Sequence, residues 1–275
     1  MSEAVKSWIC TTCGTQYDSS VKPPKDCQIC DDERQFVNWN GQEWTTLADL
    51  HLAHSNLVKA QGAAITGIGT TPKFAIGQRA LLVQTTQGNL LWDCISLIDE
   101  ATTAAVQALG GISAIAISHP HYYSSMVEWS EKFGQVPIYL HSADQRWVMR
   151  PSANIVFWKG KQERLFGNLT LIRCGGHFDG GTVLHWADGE ERAGALLTGD
   201  IIQVVQDRRF VSFMWSYPNY IPLPTSAVNR IVQSVRPFGF KRIYGAWWEA
   251  IVENDGKAAV ERSAARYLKA IDGTS

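Results

Sequence analysis

Residues 117–129 read "ISHPHYYSSMVEW". Two histidines, His119 and His121, stand two apart behind the apolar run "ISAIAIS" (112–118), which reads as a strand. Ahead of them "YSSMVEWSEKFG" (123–134) reads as a helix that stops at Gly134. Ligands collected at strand ends converge in space on layered α/β folds. Taken alone, the pair is a weak signal that a core cap would explain as well.

Three features downstream favour a ligand role. "CGGHFDGG" (174–181) sets His177 in a glycine-rich turn between two strands, and "LLTGD" (196–200) ends an apolar strand on Asp200. The order is strand, His-x-His, helix, then strand, Gly-His, then strand, Asp. Around it, "KFAIGQRALLVQTTQGNLLWDCIS" (73–96) reads as strands with a hairpin turn, and "DEATTAAVQALGG" (99–111) as a helix with an acidic start and a glycine stop. "VPIYLHS" (136–142) and "KRIYGAWW" (241–248) read as strands and "ADQRWVMR" (143–150) as a short helix. "PTSAVNRIVQSVRPF" (224–238) and "DGKAAVERSAARYLKAI" (255–271) read as longer helices. Mixed hairpins and β-α units suggest sheets packed between helices.

Residues 1–38 have another texture. They are polar, carry Pro23 and Pro24, and hold too few aliphatic residues to fold without a staple. Cys10, Cys13, Cys27 and Cys30 make C-x2-C-x13-C-x2-C. Each C-x-x-C turn aims two sulfurs at one point, and four sulfurs at ~2.3 Å are the closed tetrahedral shell of a structural zinc. Gly14 follows the first pair, where a tight knuckle needs a permissive backbone. The knuckle "CTTCG" resembles rubredoxin-like zinc ribbons. Residues 39–69 are expected to be a linker with a short helix, in which His51 and His54 serve the surface or packing. Cys94 and Cys174 are expected as buried small apolar residues.

Residues 70–275 are expected to form one domain, which over roughly 70–270 resembles the metallo-β-lactamase superfamily. "LLWDCI" (90–95) matches its early strand ending in Asp, here Asp93, and "SHPHYYS" its H-x-H-x-D-H position. "GGHFDGG" matches the Gly-His turn, "LLTGD" the bridging-aspartate strand and "IYGAWW" the place of its last histidine. The resemblance implies an α/β, four-layer αββα sandwich with a metal site at one edge of the sheets. It assigns His119, His121 and His177 to the first metal position and Asp200 to the bridging carboxylate. The second position needs an Asp and two further His. Tyr123, Ser124 and Ala246 or Trp247 stand there, so one metal site is expected, not two. Asp200 is then a fourth ligand or a base. Tyr123 and Ser124 either donate hydrogen bonds to a developing oxyanion or fill vacated volume. By the same resemblance Asp93 braces the histidine loop. Asp179 either fixes an imidazole or stabilises its turn. His141 and His185 read as packing or hydrogen-bonding residues. The pair Trp247–Trp248 is expected to wall the site, and "SFMWSYPNYIPLP" (212–224) to form an aromatic lid.

The remaining composition bounds the partners. A net charge of −1, with no run of lysine or arginine, argues against nucleic acid. No apolar run approaches the ~20 residues of a membrane span, and "MSEAVKSW" lacks a signal-peptide core. A cytoplasmic chain is expected. Eleven tryptophans fit a tryptophan-rich core or an aromatic pocket, and leave a homodimer open. Three functions compete. The first is a mononuclear metal-dependent hydrolase of a small molecule, with zinc, iron or manganese at the His/Asp site. The second is a non-haem iron oxidoreductase. The third is a non-catalytic binding protein with an emptied site.

Overall fold

The computed structural model describes residues 4–273; residues 1–3 and 274–275, which the ranges and the leader reading above include, lie outside them. The chain divides into two compact units. One runs up to Leu140 and takes in Gln145–Phe157; the other holds His141–Asp144 and everything from Trp158 on.

The first unit opens with the cysteine module. Strands Gln16–Ser20, Lys6–Cys10 and Trp44–Thr45 lie in that order in a small antiparallel sheet. The buried interior of the module is the four cysteines with Tyr17 and Ile29. A core this small cannot hold a fold by apolar burial alone.

Next comes a seven-stranded sheet. Its order is Ile155–Trp158, Ile138–His141, Ala114–Ala116, Gly88–Trp92, Arg79–Thr85, Ile65–Thr71 and Ser55–Gly62. The last four are antiparallel neighbours, while Gly88–Trp92, Ala114–Ala116 and Ile138–His141 run parallel. Parallel neighbours need crossovers. Helices Glu100–Ala108 and Met126–Lys132 supply them. The first is capped by Asp99, whose carboxylate accepts the Thr102 N–H at 2.6 Å.

Residues 55–71 correct the linker expected over 39–69. The short helix is present at Leu47–Ala53, but Ser55–Gly62 and Ile65–Thr71 are a hairpin on the edge of the large sheet. "ITGIGTT" contains two glycines and "SNLVKAQG" leaves Leu57 half exposed, so neither carries a strong strand pattern. Pairing with Arg79–Thr85, the next strand along the chain, decides their conformation.

The second unit is built on a six-stranded sheet in the order Gln162–Arg164, Leu169–Arg173, Thr182–Trp186, Ala195–Gly199, Arg242–Gly245, Ile251–Val252. Only Ala195–Gly199 and Arg242–Gly245 run parallel. Helices Thr225–Val235 and Gly256–Ile271 cover one face. Val228, Ile231 and Val235 from the first and Val260 and Ala264 from the second meet Ile172, Val183, Leu196 and Ile243 from the strands. Among the described residues no helix is long and apolar enough to cross a membrane. Of the tryptophans, Trp92, Trp129, Trp158 and Trp186 are buried, while Trp39 is 99% exposed, so the richness in tryptophan is only in part a core property.

Ile231 is fully buried in the centre of the second unit's core. Ile231→Ala is expected to lower stability by about 2–5 kcal/mol through lost transfer energy and the cavity left behind. Urea denaturation followed by circular dichroism checks this.

Candidate metal centres

In the module, Cys10 and Cys13 flank one tight turn. The Gly14 N–H donates to the Cys10 carbonyl at 2.9 Å, with Gly14 at φ +81°, a conformation that glycine holds without strain. Cys27 and Cys30 flank the other turn, closed by the Asp31 N–H on the Cys27 carbonyl at 3.0 Å. All four sulfurs lie within 4.8 Å of one another, and the pairs Cys10–Cys30 and Cys13–Cys27 are both 3.6 Å apart. That is far beyond a disulfide bond and close to the ~3.8 Å edge of a tetrahedron with ~2.3 Å metal–sulfur bonds. The Tyr17 hydroxyl donates to Cys27 Sγ at 3.4 Å and the Gln42 amide to Cys10 Sγ at 3.2 Å. Such donors offset the negative charge that four thiolates would carry. The residues present fit a closed metal shell.

The second centre is built from strand ends. Ala114–Ala116 leads through Ser118 into a tight turn, Pro120–Tyr122, that carries His121 and follows His119 directly. Pro120 sits at the first position of the turn, where a missing N–H is harmless. The two imidazole centroids are 5.1 Å apart at 72°, and the Tyr122 ring meets His119 edge-on at 4.4 Å. Asp93 braces this turn. It follows strand Gly88–Trp92, and its N–H donates to the Ala116 carbonyl at 2.9 Å. Its carboxylate accepts the Ser118 N–H at 2.7 Å. Ser118 Oγ in turn meets His119 Nδ1 at 2.9 Å. The role expected of Asp93 is thus present in its bonds.

His177 sits in the glycine-rich turn between Leu169–Arg173 and Thr182–Trp186. The Gly180 N–H donates to the Asp144 carboxylate at 2.8 Å, and a side chain at Gly180 would collide with that carboxylate. His177 Nδ1 lies 2.6 Å from the Trp215 carbonyl. A carbonyl only accepts, so Nδ1 carries the proton and Nε2 the lone pair. This orienting partner is a backbone atom of the 212–224 stretch, not Asp179. The Asp179 side chain is exposed, and its carbonyl accepts from Arg173 at 2.8 Å.

His119, His121 and His177 are all buried, and each brings a ring nitrogen within 4.8 Å of the others. Three imidazoles grouped in this way could hold a metal ion. Asp200 is not part of that group. It is buried just past strand Ala195–Gly199, with its carbonyl accepting the Tyr217 hydroxyl at 2.7 Å. Burial and the nearby Asp200 charge raise the Tyr217 pKa well above the ordinary phenol value.

The other expected residues fall as follows. Tyr123 and Ser124 are both buried. Ser124 Oγ donates to the Cys94 carbonyl at 3.3 Å and accepts from the Gln78 amide at 3.1 Å, so its hydroxyl is engaged inside the first unit. His141 accepts the Ala143 N–H on Nδ1 and so donates from Nε2 to the Gly160 carbonyl at 3.1 Å; His185 meets the Gly239 carbonyl at 2.8 Å. Burial lowers the pKa of both. These two serve hydrogen bonding and packing, as expected. His51 is exposed and His54 meets the Phe74 ring edge-on at 5.6 Å. Cys94 and Cys174 are buried, and burial pushes the Cys174 thiol up to about 12. Trp247 and Trp248 are half-buried, with Trp247 packed on the second unit's core. The 212–224 stretch is anchored by fully buried Phe213, while Tyr220 at its tip is 85% exposed.

This fold is that of the metallo-β-lactamases. The solved metallo-β-lactamase DIM-1 matches over 78% of this chain and 98% of its own, with a TM-score of 0.59 at 14% identity. The mono-zinc form of FIM-1 from Pseudomonas aeruginosa matches over 78% and 96%, at 0.56 and 15%. At such identities the likeness carries the fold and nothing finer. No family model matches the chain. In sequence it is 50% identical over 267 residues to YmaE, an uncharacterized protein of Bacillus subtilis (strain 168), covering 96% of this chain and 97% of that one. The chain belongs to the YmaE family, and its own fold is a metallo-β-lactamase α/β fold preceded by a four-cysteine module.

Burial raises the Asp93 pKa to about 7, partly opposed by the Ser118 bonds. An unfolded Asp titrates near 3.9. Between those values the folded chain holds a proton that the unfolded chain has lost. The contribution of Asp93 to stability is therefore full below pH ~4 and lost as pH rises through ~7. Asp93→Asn keeps a carbonyl for the Ser118 N–H and does not titrate. Its stability relative to the parent is expected to rise by a few kcal/mol, as an order of magnitude, between pH 4 and pH 8. Paired urea titrations read the difference, and a difference flat with pH would contradict it.

Proposed function

We propose that the chain is a metal-dependent hydrolase of a small-molecule substrate, working with one ion held by His119, His121 and His177. The observation that supports this most is the trio of buried imidazoles with ring nitrogens within 4.8 Å of one another. Such an ion supplies Lewis-acid polarisation of a carbonyl and a bound water with pKa near ~7.

The chain's own residues do the positioning. The Trp215 carbonyl holds His177 in the tautomer that presents Nε2. Ser118, fixed by Asp93, holds the His119 ring through its Nδ1. Asp200 is the carboxylate we assign as fourth ligand or as the base that takes a proton from water. A single ion is favoured over two because Tyr123, Ser124 and Ala246 or Trp247 stand at the second ion's positions. The Ser124 hydroxyl is also committed to Cys94 and Gln78. FIM-1, described in a mono-zinc form, is a one-ion example of this fold. For the cysteine module we propose a second, structural zinc.

Elemental analysis of protein purified without added metal tests this. Two ions per chain are expected, and one in His119→Ala/His177→Ala. That variant should also lose at least ~10³-fold of any ester, thioester or lactone hydrolysis found by screening. One ion in both proteins, even after zinc, iron or manganese is supplied, defeats the proposal and leaves a binding protein. Iron at the histidines with oxygen consumption would favour the oxidoreductase reading.

A further inference from the structure

The cysteine module does not hang free of the first unit. Its first knuckle is bonded to the two loops that shape the His119–His121 turn. Ser96 Oγ donates to the Gly14 carbonyl at 2.8 Å, one residue beyond Cys13. Two residues further on, the Gln16 N–H donates to the Ser124 carbonyl at 3.0 Å. Ser124 and Cys94 are themselves joined, directly at 3.3 Å and through the Gln78 amide, which meets the Cys94 carbonyl at 3.0 Å and Ser124 Oγ at 3.1 Å. Next to Cys94 comes Asp93, whose carboxylate holds Ser118. The residues of this network are nearly all out of reach of solvent: Ser96 is 5% exposed, Gln78 6%, Ser124 3%, and Asp93 and Ser118 1% each.

We propose that metal in the cysteine module positions the 118–124 loop through these bonds, and so sets the affinity of the histidines for their own ion. The second half of this statement rests on the reading of His119, His121 and His177 as a metal site. Three observations carry the proposal. The module's buried cluster is Cys10, Cys13, Cys27 and Cys30 with Tyr17 and Ile29, with Trp44, Ile76, Trp147 and Met149 packed against it; most of that cluster would be ligands of the ion, so the shape of the knuckle depends on it. The knuckle's partners are buried and become orphaned if it moves, an unfavourable state for polar groups out of reach of water. Ser124 sits at φ 43°, a backbone conformation that a non-glycine residue keeps only while its surroundings hold it there. The coupling is reciprocal: an ion at the histidines tightens binding at the cysteines by the same factor.

Cobalt(II) serves as probe, because the thiolate-to-cobalt charge-transfer band reports filling of the cysteine module separately from the histidines. Ser96→Ala removes one bond to the knuckle; Gln16→Pro removes the bond to the Ser124 carbonyl together with the Gln16 side-chain bonds to Glu128 and Arg150, so Ser96→Ala is the cleaner of the two. Ser19→Ala removes the contact of Ser19 with Ser7 on an exposed part of the module and serves as control. With the module filled in all four proteins, amide exchange over 117–126 is expected to speed up about tenfold or more in the two knuckle variants. Their histidine-site affinity for cobalt should fall roughly 5–50-fold, with Ser19→Ala matching the parent. If Gln16→Pro loses the charge-transfer band, Ser96→Ala alone decides. Unchanged exchange in the knuckle variants overturns the proposal, and so does an equal effect in Ser19→Ala. If the parent binds no cobalt at the histidines, the hydrolase reading fails. The exchange data then still decide whether the module positions the loop.

Discussion

A buried carboxylate bond sets the frame of this molecule. Asp93 leaves the end of strand Gly88–Trp92 in a left-handed backbone conformation, φ 59°, which Asp tolerates better than most residues. From there its N–H reaches the Ala116 carbonyl and its carboxylate reaches the Ser118 N–H. Two parallel strands are thereby tied at their ends, and the chain beyond the second strand has one exit direction. The histidine turn, the Ser124 backbone and the docking of the cysteine knuckle all follow within a few residues of that tie. Burying an acid this deeply is unfavourable unless it is protonated or fully hydrogen-bonded, so the tie is made by a group whose burial favours its protonated form while the Ser118 bonds favour the carboxylate.

The sequence exposed those parts of the design that are carried by side-chain chemistry. Cysteine spacing announced four convergent sulfurs, because few other reasons place two C-x-x-C turns so close together. The three histidines were legible from the order of their strands. Helix Glu100–Ala108 was legible from its acidic start and glycine stop, Thr225–Val235 from the proline near its start and Gly256–Ile271 from its apolar spacing.

What was hidden has a common physical cause: it is made by the backbone or by pairing between strands. The partner that fixes His177 is the Trp215 carbonyl, and any residue type would offer the same atom. The nearby Asp179 was the more visible candidate and faces solvent instead. The hairpin Ser55–Thr71 is glycine-rich and partly exposed, and only its partner strand makes it β. The attachment of the cysteine module runs through the Gly14 and Ser124 carbonyls and the Gln16 N–H, so it too left no pattern in the residue types.

That attachment changes what counts as a separable piece. Composition places a boundary near residue 38, and a shortened chain starting there would look like a clean excision. In three dimensions the cut would uncover the Ser96 hydroxyl and the Ser124 carbonyl. It would also strip the Arg150–Glu128 pair of Gln16, whose side chain lies between them. A cut at residue 70 would further remove the outer hairpin of the large sheet and leave Arg79–Thr85 as a raw edge. The part of the sequence that looks like an accessory is stitched into the wall of the histidine turn, and insertion or fusion is better tolerated at the exposed Asn38–Asn40 bend than anywhere along the knuckle.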